Sequence, residues 1–261
     1  MFTVNYVNPG IDLVYDQRHL GPGRQQLIDS IDQKIVDIED GRLSTKNFSL
    51  AETGFEFSKI DFEFDEFEDD LKVQHELFPL VTHWLKTHLG ASDLLIFDHT
   101  YRSNSRAVQS VHNRAPVKTV HNDYTAKSAE FRLHEETRFR PDLRNKPYQF
   151  INLWMPVHHK VEESPLAMVD LNTVFGTDYH QMKLIYPDRI GELAAISYNP
   201  QHKWYYFSEM APGEVLLLKV FDSQVAGDIY GVPHSAVDAV ENKSSSKPRN
   251  SIEIRTIAFF E

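Results

Sequence analysis

From residue 94 to the C-terminus the chain is a succession of short segments rich in β-branched and aromatic residues, with no long helical pattern between them. They read "LLIFDHTYR", "VKTVHNDYT", "YQFINLWMPV", "LAMVDLNTVF", "LAAISYNP", "KWYYFSEM", "EVLLLKVFDS", "IYGVPHSAVD" and "SIEIRTIAFF", separated by Pro, Asn, Asp and Gly. Parallel strands need long crossover connections, usually helical, and nothing here supplies them. An antiparallel sandwich or barrel is therefore expected. The patch "NKSSSKPRN" reads as a loop before the last strand, and no internal repeat or linker-like break divides the chain. A single domain over residues 1–261 is expected, with 1–93 as a flanking α/β region around a β core from 94 to 261.

Upstream, "RQQLIDSIDQKIVDIEDGR" is ambiguous: Leu27, Ile31, Ile35 and Ile38 come near helical spacing, while Val36 and Ile38 alternate as in a strand. "PLVTHWLKTHLG" is clearer. Pro79 suits a first helical turn, Val81, Trp84, Leu85 and Leu89 share a face, and Gly90 suits the position just past the end. The acidic "DFEFDEFEDD" reads as a solvated surface.

Asp and Glu number 38 against 27 Lys and Arg, a formal charge of −11 that argues against a nucleic-acid backbone or an anionic membrane as main partner. No cysteine is present, so disulfides, iron–sulfur clusters and thiol nucleophiles are excluded, and any metal must take His, Asp or Glu. No apolar stretch approaches the roughly 20 residues of a spanning helix, so membrane insertion is not expected. The opening "MFTVNYVNPG" lacks the basic residues and apolar run of a secretory signal, which sets the expectation of an intracellular, cytoplasmic protein.

"VHNDYT" (residues 120–125) has a pattern that metal chemistry can use. On a strand, residues two apart point the same way, so His121 and Asp123 would project together with Asn122 turned away. An imidazole beside a carboxylate supplies two ligands to a divalent first-row metal. A third ligand would complete one face of an octahedron and leave three cis positions open. With 13 histidines in the chain, such a tripeptide also arises by chance as two polar residues on a solvated strand; "HEE" at His134, with Glu136 in the acidic place, has the same form.

"GVPHSAVD" offers His234 as a distant third ligand, Pro233 favouring a strand edge or end. Fifteen residues on (249 − 234 = 15) stands Arg249, with Ser251 on the same strand face. A turn and a return strand would set Arg249 beside His234 in an antiparallel pair, where guanidinium and hydroxyl can bind a carboxylate. The alternative is a surface arginine after a flexible loop. Glu253 and Arg255 share the same parity, so either they pair with one another or Arg255 is the carboxylate clamp. Asn152 and Trp154 alternate onto one strand face and are candidates to line a substrate pocket. Trp204, Tyr205 and Tyr206 read as packing, His158 and His159 as exposed strand-end residues, and His99 as a structural histidine. On length alone, 125–148 and 175–193 are candidate substrate lids.

The stretches "FDHTYRS", "VHNDYT", "INLWMPV", "PLAMVDLNTV", "HKWYYFSEM", "LLLKVFDS", "VPHSAVD" and "RNSIEIRTIAFF", in this order, resemble the Fe(II)/2-oxoglutarate-dependent oxygenases. More narrowly the chain is similar to the asaB-like and CmcJ-like subfamily, related to cephamycin 7α-methoxylation and to gibberellin desaturases. The resemblance runs from about residue 94 to the C-terminus, with weaker similarity at "LAETGFEF". It implies a mainly β fold, a double-stranded β-helix (jelly roll, cupin-like) core with flanking N-terminal helices. It implies that His121, Asp123 and His234 hold Fe(II) and that Arg249 with Ser251 binds 2-oxoglutarate, Arg255 being the rival clamp. O2 is the implied co-substrate and ascorbate an accessory reductant. The implied reaction is hydrogen abstraction by a ferryl species from a small hydrophobic secondary metabolite, a terpenoid or meroterpenoid. Hydroxylation, desaturation and endoperoxide formation all start from that step. A homodimer is compatible with this reading.

The chain departs from the pattern in two respects. His121 and His234 lie 113 residues apart (234 − 121 = 113), which implies insertions between the ligand strands, and Met155 stands where relatives carry an arginine after "NLW", which bears on the substrate side of the pocket. Two rival readings are a cupin-like metal hydrolase or isomerase that uses no 2-oxoglutarate, and a non-catalytic β-sandwich that binds partners through its acidic face.

Overall fold

The computed structural model describes residues 1–10, 12–16, 30–103, 113–187, 189–240 and 247–261, and within them the β-branched segments form strands. In the N-terminal third these are β1 (Phe2–Val7), β2 (Leu13–Asp16), β3 (Ile31–Val36), β4 (Ile38–Asp40) and β5 (Phe55–Lys59). There follow β6 (Asp93–Ser103), β7 (Asn113–Arg114), β8 (His121–Asn122), β9 (Tyr148–Pro156), β10 (Leu166–Val169) and β11 (Tyr179–Ile185). The last are β12 (Ile190–Ile196), β13 (Trp204–Tyr206), β14 (Glu214–Asp222), β15 (His234–Ala236), β16 (Asp238–Ala239) and β17 (Asn250–Phe259). Eight join in the order β2-β11-β12-β8-β15-β10-β13-β4, six in the order β5-β14-β9-β17-β6-β7, and β16-β1-β3 form a small third sheet. The central pairs are antiparallel; among the described strands, parallel pairs are β11 with β2, β13 with β4 and β6 with β7, at the sheet edges, beside isolated parallel bridges at Asn5–Thr119 and Val7–Ser197. The mainly β jelly roll expected from the sequence is thus borne out.

Both large sheets are covered on two sides, which is why their strands read as continuous apolar runs rather than clean alternation. On β9, Phe150 and Trp154 face inward with Leu216 and Leu218 of β14 and meet Leu166, Met168 and Tyr205 of the eight-stranded sheet. The other face of β9, Ile151, Leu153 and Met155, packs with Leu217, Ile252 and Ile254 against Val73, Leu77, Val81 and Leu85. Those four belong to a helical stretch that Asp69 caps by accepting from the backbone of Leu71 and Lys72. It runs on through α1 (Phe78–Leu89) to Gly90, whose φ of 65° gives the left-handed turn expected there. Pro79 stands in the first turn of α1, as expected. It follows a π-helical turn over Val73–Leu77, a widening that accommodates a ring with no N–H to give to the preceding turn. The outer face of the eight-stranded sheet is closed by β1, whose Val4 and Tyr6 pack on Val120, Ala167, Val169 and Trp204.

The structure decides one open reading and corrects another. The ambiguous segment around Ile31, Val36 and Ile38 is strand, β3 and β4, while Leu27 lies outside the described residues. Residues 1–93 combine strands that extend both large sheets with the helical stretch from Asp70 to Leu89, an α/β flank. The supposed lids are regular structure: 125–148 holds α2 (Ala126–Glu136), capped by the reciprocal pair Thr125 and Ser128, and 175–193 contributes the β11–β12 hairpin. Of "NKSSSKPRN", residues 242–246 lie outside the described residues. Among the described residues, no helix is long and apolar enough to cross a membrane.

Gly231 ties the two large sheets together just before β15. A Cβ there would fall 2.3 Å from the Val220 carbonyl carbon of β14, and the next residue, Val232, donates its N–H to the Lys219 carbonyl at 2.9 Å. Only glycine lets the two backbones approach this closely. Gly231→Ala is expected to destabilise the fold by about 1–3 kcal/mol through overpacking against main chain, measured as a shift in the midpoint of chemical denaturation.

Candidate metal centre

β8 lies between β12 and β15 in the eight-stranded sheet, and its first residue, His121, pairs directly opposite His234 of β15. This register sets two imidazoles side by side, ring centroids 4.6 Å apart. The two rings are oriented alike. His121 Nδ1 lies 2.8 Å from the Thr119 carbonyl and His234 Nδ1 3.0 Å from the Val232 carbonyl, each two residues back in its own strand. A carbonyl only accepts, so both Nδ1 atoms carry the proton and both Nε2 atoms keep a free lone pair. Burial, and then the neighbouring His121, push the His234 pKa down to about 4, so this ring stays neutral at ordinary pH.

Asp123 sits at a bend just past β8 and completes the group. Its Oδ1 is 3.4 Å from His121 Nε2 and 4.0 Å from His234 Nε2. Ligand atoms of the three residues all lie within 4.8 Å of one another. Asn122 points the other way, its amide donating to the Tyr124 and Val220 carbonyls, as strand alternation predicts. Two imidazole Nε2 atoms and a carboxylate on one side of an open space suit a six-coordinate ferrous ion better than a closed structural site.

The second Asp123 oxygen, Oδ2, is occupied by the opposite sheet. Asn152 Nδ2 donates to it at 2.7 Å and Arg255 Nε lies 3.4 Å away. Burial raises the carboxyl pKa, but the adjacent His121 ring and the Arg255 charge prevail and hold it well below the usual carboxylate range. Arg255 also donates to Asp98, Thr100 and Glu253, at 2.9, 3.0 and 2.9 Å. Glu253 in turn accepts two bonds from Arg102, at 3.2 and 2.9 Å. The sequence alternative that pairs Glu253 with Arg255 is the arrangement found, and the donors of Arg255 are committed within it.

A narrow cavity, about 20 Å³ to a water-sized sphere, separates the sheets here. His121, His234, Leu166 and Ala236 line one side, Arg102, Trp154, Arg249 and Glu253 the other. Arg249 is 1% exposed, donates from Nη1 to the Ser164 carbonyl at 2.6 Å and lies with its guanidinium carbon 5.6 Å from the centre of the Trp154 ring. Its Nε and the Oγ of Ser251 have no partner, and among the described residues no carboxylate forms an ion pair with it. Burial, then the charge of Arg102, push its pKa down to about 9. A buried cation without a counter-charge beside an unpartnered hydroxyl fits a ligand carboxylate.

The geometry revises several sequence expectations. His234 and Arg249 are not neighbours in an antiparallel pair: β15 and β17 belong to different sheets, and the two residues face each other across the cavity. Asn152 is absent from the cavity lining and stands behind Asp123, whereas Trp154 does line it. Met155 points into the helix-covered face of its sheet, away from the cavity, because strand alternation sends it opposite to Trp154. His134 is exposed on α2, His158 is exposed beside Glu68, His99 is buried with Asp70, and Trp204 donates to Tyr6. The sequence reading missed Arg102. Its tie to Glu253 depends on the register of β6 against β17, and no local pattern marks it.

A family profile described as an oxidoreductase/YMDC permease-like domain matches residues 4–259. The hydroxylase/desaturase CTB9 of Cercospora beticola is 31% identical over 256 residues, 87% of this chain and 77% of that protein. The Fe(II)/2-oxoglutarate-dependent dioxygenase nvfI of Aspergillus novofumigatus is 29% identical over 252 residues, 91% of this chain and 87% of that protein. A solved structure of the iron and alpha-ketoglutarate-dependent endoperoxidase NvfI superposes with a TM-score of 0.83 at 24% identity, covering 99% of this chain and 97% of that one. With this shared fold and nearly full-length sequence similarity, the chain belongs to the family of Fe(II)/2-oxoglutarate-dependent oxidoreductases that these proteins represent.

Proposed function

We propose that the protein oxidises an apolar secondary metabolite, a terpenoid or meroterpenoid, with Fe(II) on His121, Asp123 and His234 and the far carboxylate of 2-oxoglutarate on Arg249 and Ser251. One observation carries this reading: a buried guanidinium lacking a counter-ion stands across a single cavity from three converging metal-ligand atoms. Fe(II) with 2-oxoglutarate and O2 supplies an oxidant able to take a hydrogen atom from a C–H bond. The chain's own part is arrangement. The two Nε2 atoms and the ionised Asp123 offer three donors on one side and leave the other side free. Arg249, held by the Ser164 carbonyl and the Trp154 ring, fixes the far end of the cosubstrate. Val117, Leu166, Ala236 and Trp154 give the cavity an apolar wall that favours a hydrocarbon-rich substrate and excludes water from the reacting centre. Relatives named as a hydroxylase/desaturase and as an endoperoxidase support oxidation of this kind, with endoperoxide formation among the outcomes. In this reading residues 1–261 act as one unit, because β2, β4 and β5 extend the two sheets that carry the site.

Anaerobic titration with Fe(II) and 2-oxoglutarate is expected to give a visible metal-to-ligand charge-transfer band in the wild-type chain and none in His234→Ala. No band in the wild type would refute the reading. Arg249→Leu should raise the 2-oxoglutarate concentration needed for half-saturation roughly 10- to 100-fold, the worth of a charge-assisted bond to a carboxylate. The same change should leave thermal stability equal or higher, since it removes an uncompensated buried charge. Unchanged half-saturation in Arg249→Leu would move the clamp elsewhere.

A further inference from the structure

We propose that Asn152 is a positioning residue for the metal, joining the carboxylates of Asp123 and Glu253 through one amide nitrogen so that Asp123 presents Oδ1 alone to the ion. The inference rests on the iron-site reading above and deepens it. Asn152 is 1% exposed on a central strand, and its Nδ2 lies 2.7 Å from Asp123 Oδ2 and 3.1 Å from Glu253 Oε1. An amide nitrogen carries two protons, and here each faces a different buried carboxylate. The amide oxygen has no partner, and turning it about would set that oxygen against two anions. Its orientation is therefore fixed by the pair it joins.

The consequence falls on the metal ligand. With Oδ2 held by the opposite sheet, the Oδ1 atom is the one that faces both Nε2 atoms, at 3.4 and 4.0 Å. Arg255 does not do this alone: its contact with Oδ2 is the longer one, at 3.4 Å, and its other donors go to Asp98, Thr100 and Glu253. Without the amide, two carboxylates with too few donors would stand together, and Asp123 would be free to rotate and offer both oxygens. Asn152 is also absent from the cavity lining, so its loss leaves the space for cosubstrate and substrate intact.

The test is titration of the full chain with Co(II) alone, read by its visible d–d bands and by calorimetry. Asn152→Leu, close in shape but without a donor, is expected to weaken Co(II) binding by roughly 10- to 100-fold, as loss of a ligand-orienting partner does, and to alter the band shape. Asn152→Thr, whose branched side chain suits a strand and whose hydroxyl reaches one carboxylate, should lie between. At saturating metal, 2-oxoglutarate half-saturation should stay at the wild-type value, because Arg249 and Ser251 are untouched. Wild-type Co(II) affinity and bands in either folded variant would overturn the inference while leaving the iron site standing. A crystal structure of the wild-type Co(II) form with Asp123 bound through both oxygens would overturn it without any variant. Failure of the wild type to bind Co(II), or undiminished binding by His234→Ala, would overturn the iron site and this inference together.

Discussion

An ionised carboxylate buried in a protein opposes folding by several kcal/mol unless hydrogen bonds and opposite charge replace the water it loses. Asp123 is such a group, and much of the surrounding architecture answers its needs. Arg255 approaches it from β17 and Asn152 from β9; Glu253 balances Arg255, and Arg102 from β6 balances Glu253. Within this network the carboxylates of Asp98, Asp123 and Glu253 face the guanidiniums of Arg102 and Arg255, with Asp98 at the half-exposed rim. Arg249 stands apart, with no carboxylate paired to it among the described residues. A divalent cation between the histidines would add positive charge on the facing side of the cavity, which favours a dianion held at both ends. The electrostatics of the metal side and of the cosubstrate side are in this sense one property.

The β core was legible because nine separate segments combine β-branched and aromatic residues with turn residues between them, a pattern that long-range packing reinforces. The convergence of His121, Asp123 and His234 could also be read, since "VHNDYT" puts two of them two residues apart and the family resemblance supplies "GVPHSAVD" as the third. What escaped was whatever depends on which strand lies beside which. Arg249 was placed next to His234 by counting residues, yet β17 pairs with β9 and β6, and the approach is across the interior. β11, "YHQMKLI", mixes polar and apolar residues at a sheet flank and gave no strand signal. α2 escaped because it buries only Ala129 and Leu133 while Phe131 faces solvent, so no apolar stripe stands out. Asn152 looked like a pocket residue by parity alone; which of two partners lies across a face is not written in the strand that carries it.

The two clusters on either side of β9 explain how such a polar network persists inside an apolar fold. Ile151, Leu153 and Met155 anchor the strand to the helical layer, leaving the opposite face to carry Phe150, Asn152 and Trp154 in fixed order. One strand thus supplies a core residue, a carboxylate partner and a cavity wall at successive inward positions. Shifting its register by a single residue would exchange all three for aliphatic side chains.

Val220, in the middle of β14, touches two places on the eight-stranded sheet with its main chain. Its carbonyl accepts from Asn122, next to His121, at 2.9 Å, and its peptide leaves no room for a side chain at Gly231, three residues before His234. The separation of the ligand strands is accordingly gauged from one peptide group of the facing sheet, as by a caliper, and not from the residues that surround a bound molecule. Cavity walls such as Leu166 or Ala236 can then drift in size to suit different guests while the spacing of His121 and His234 keeps its setting.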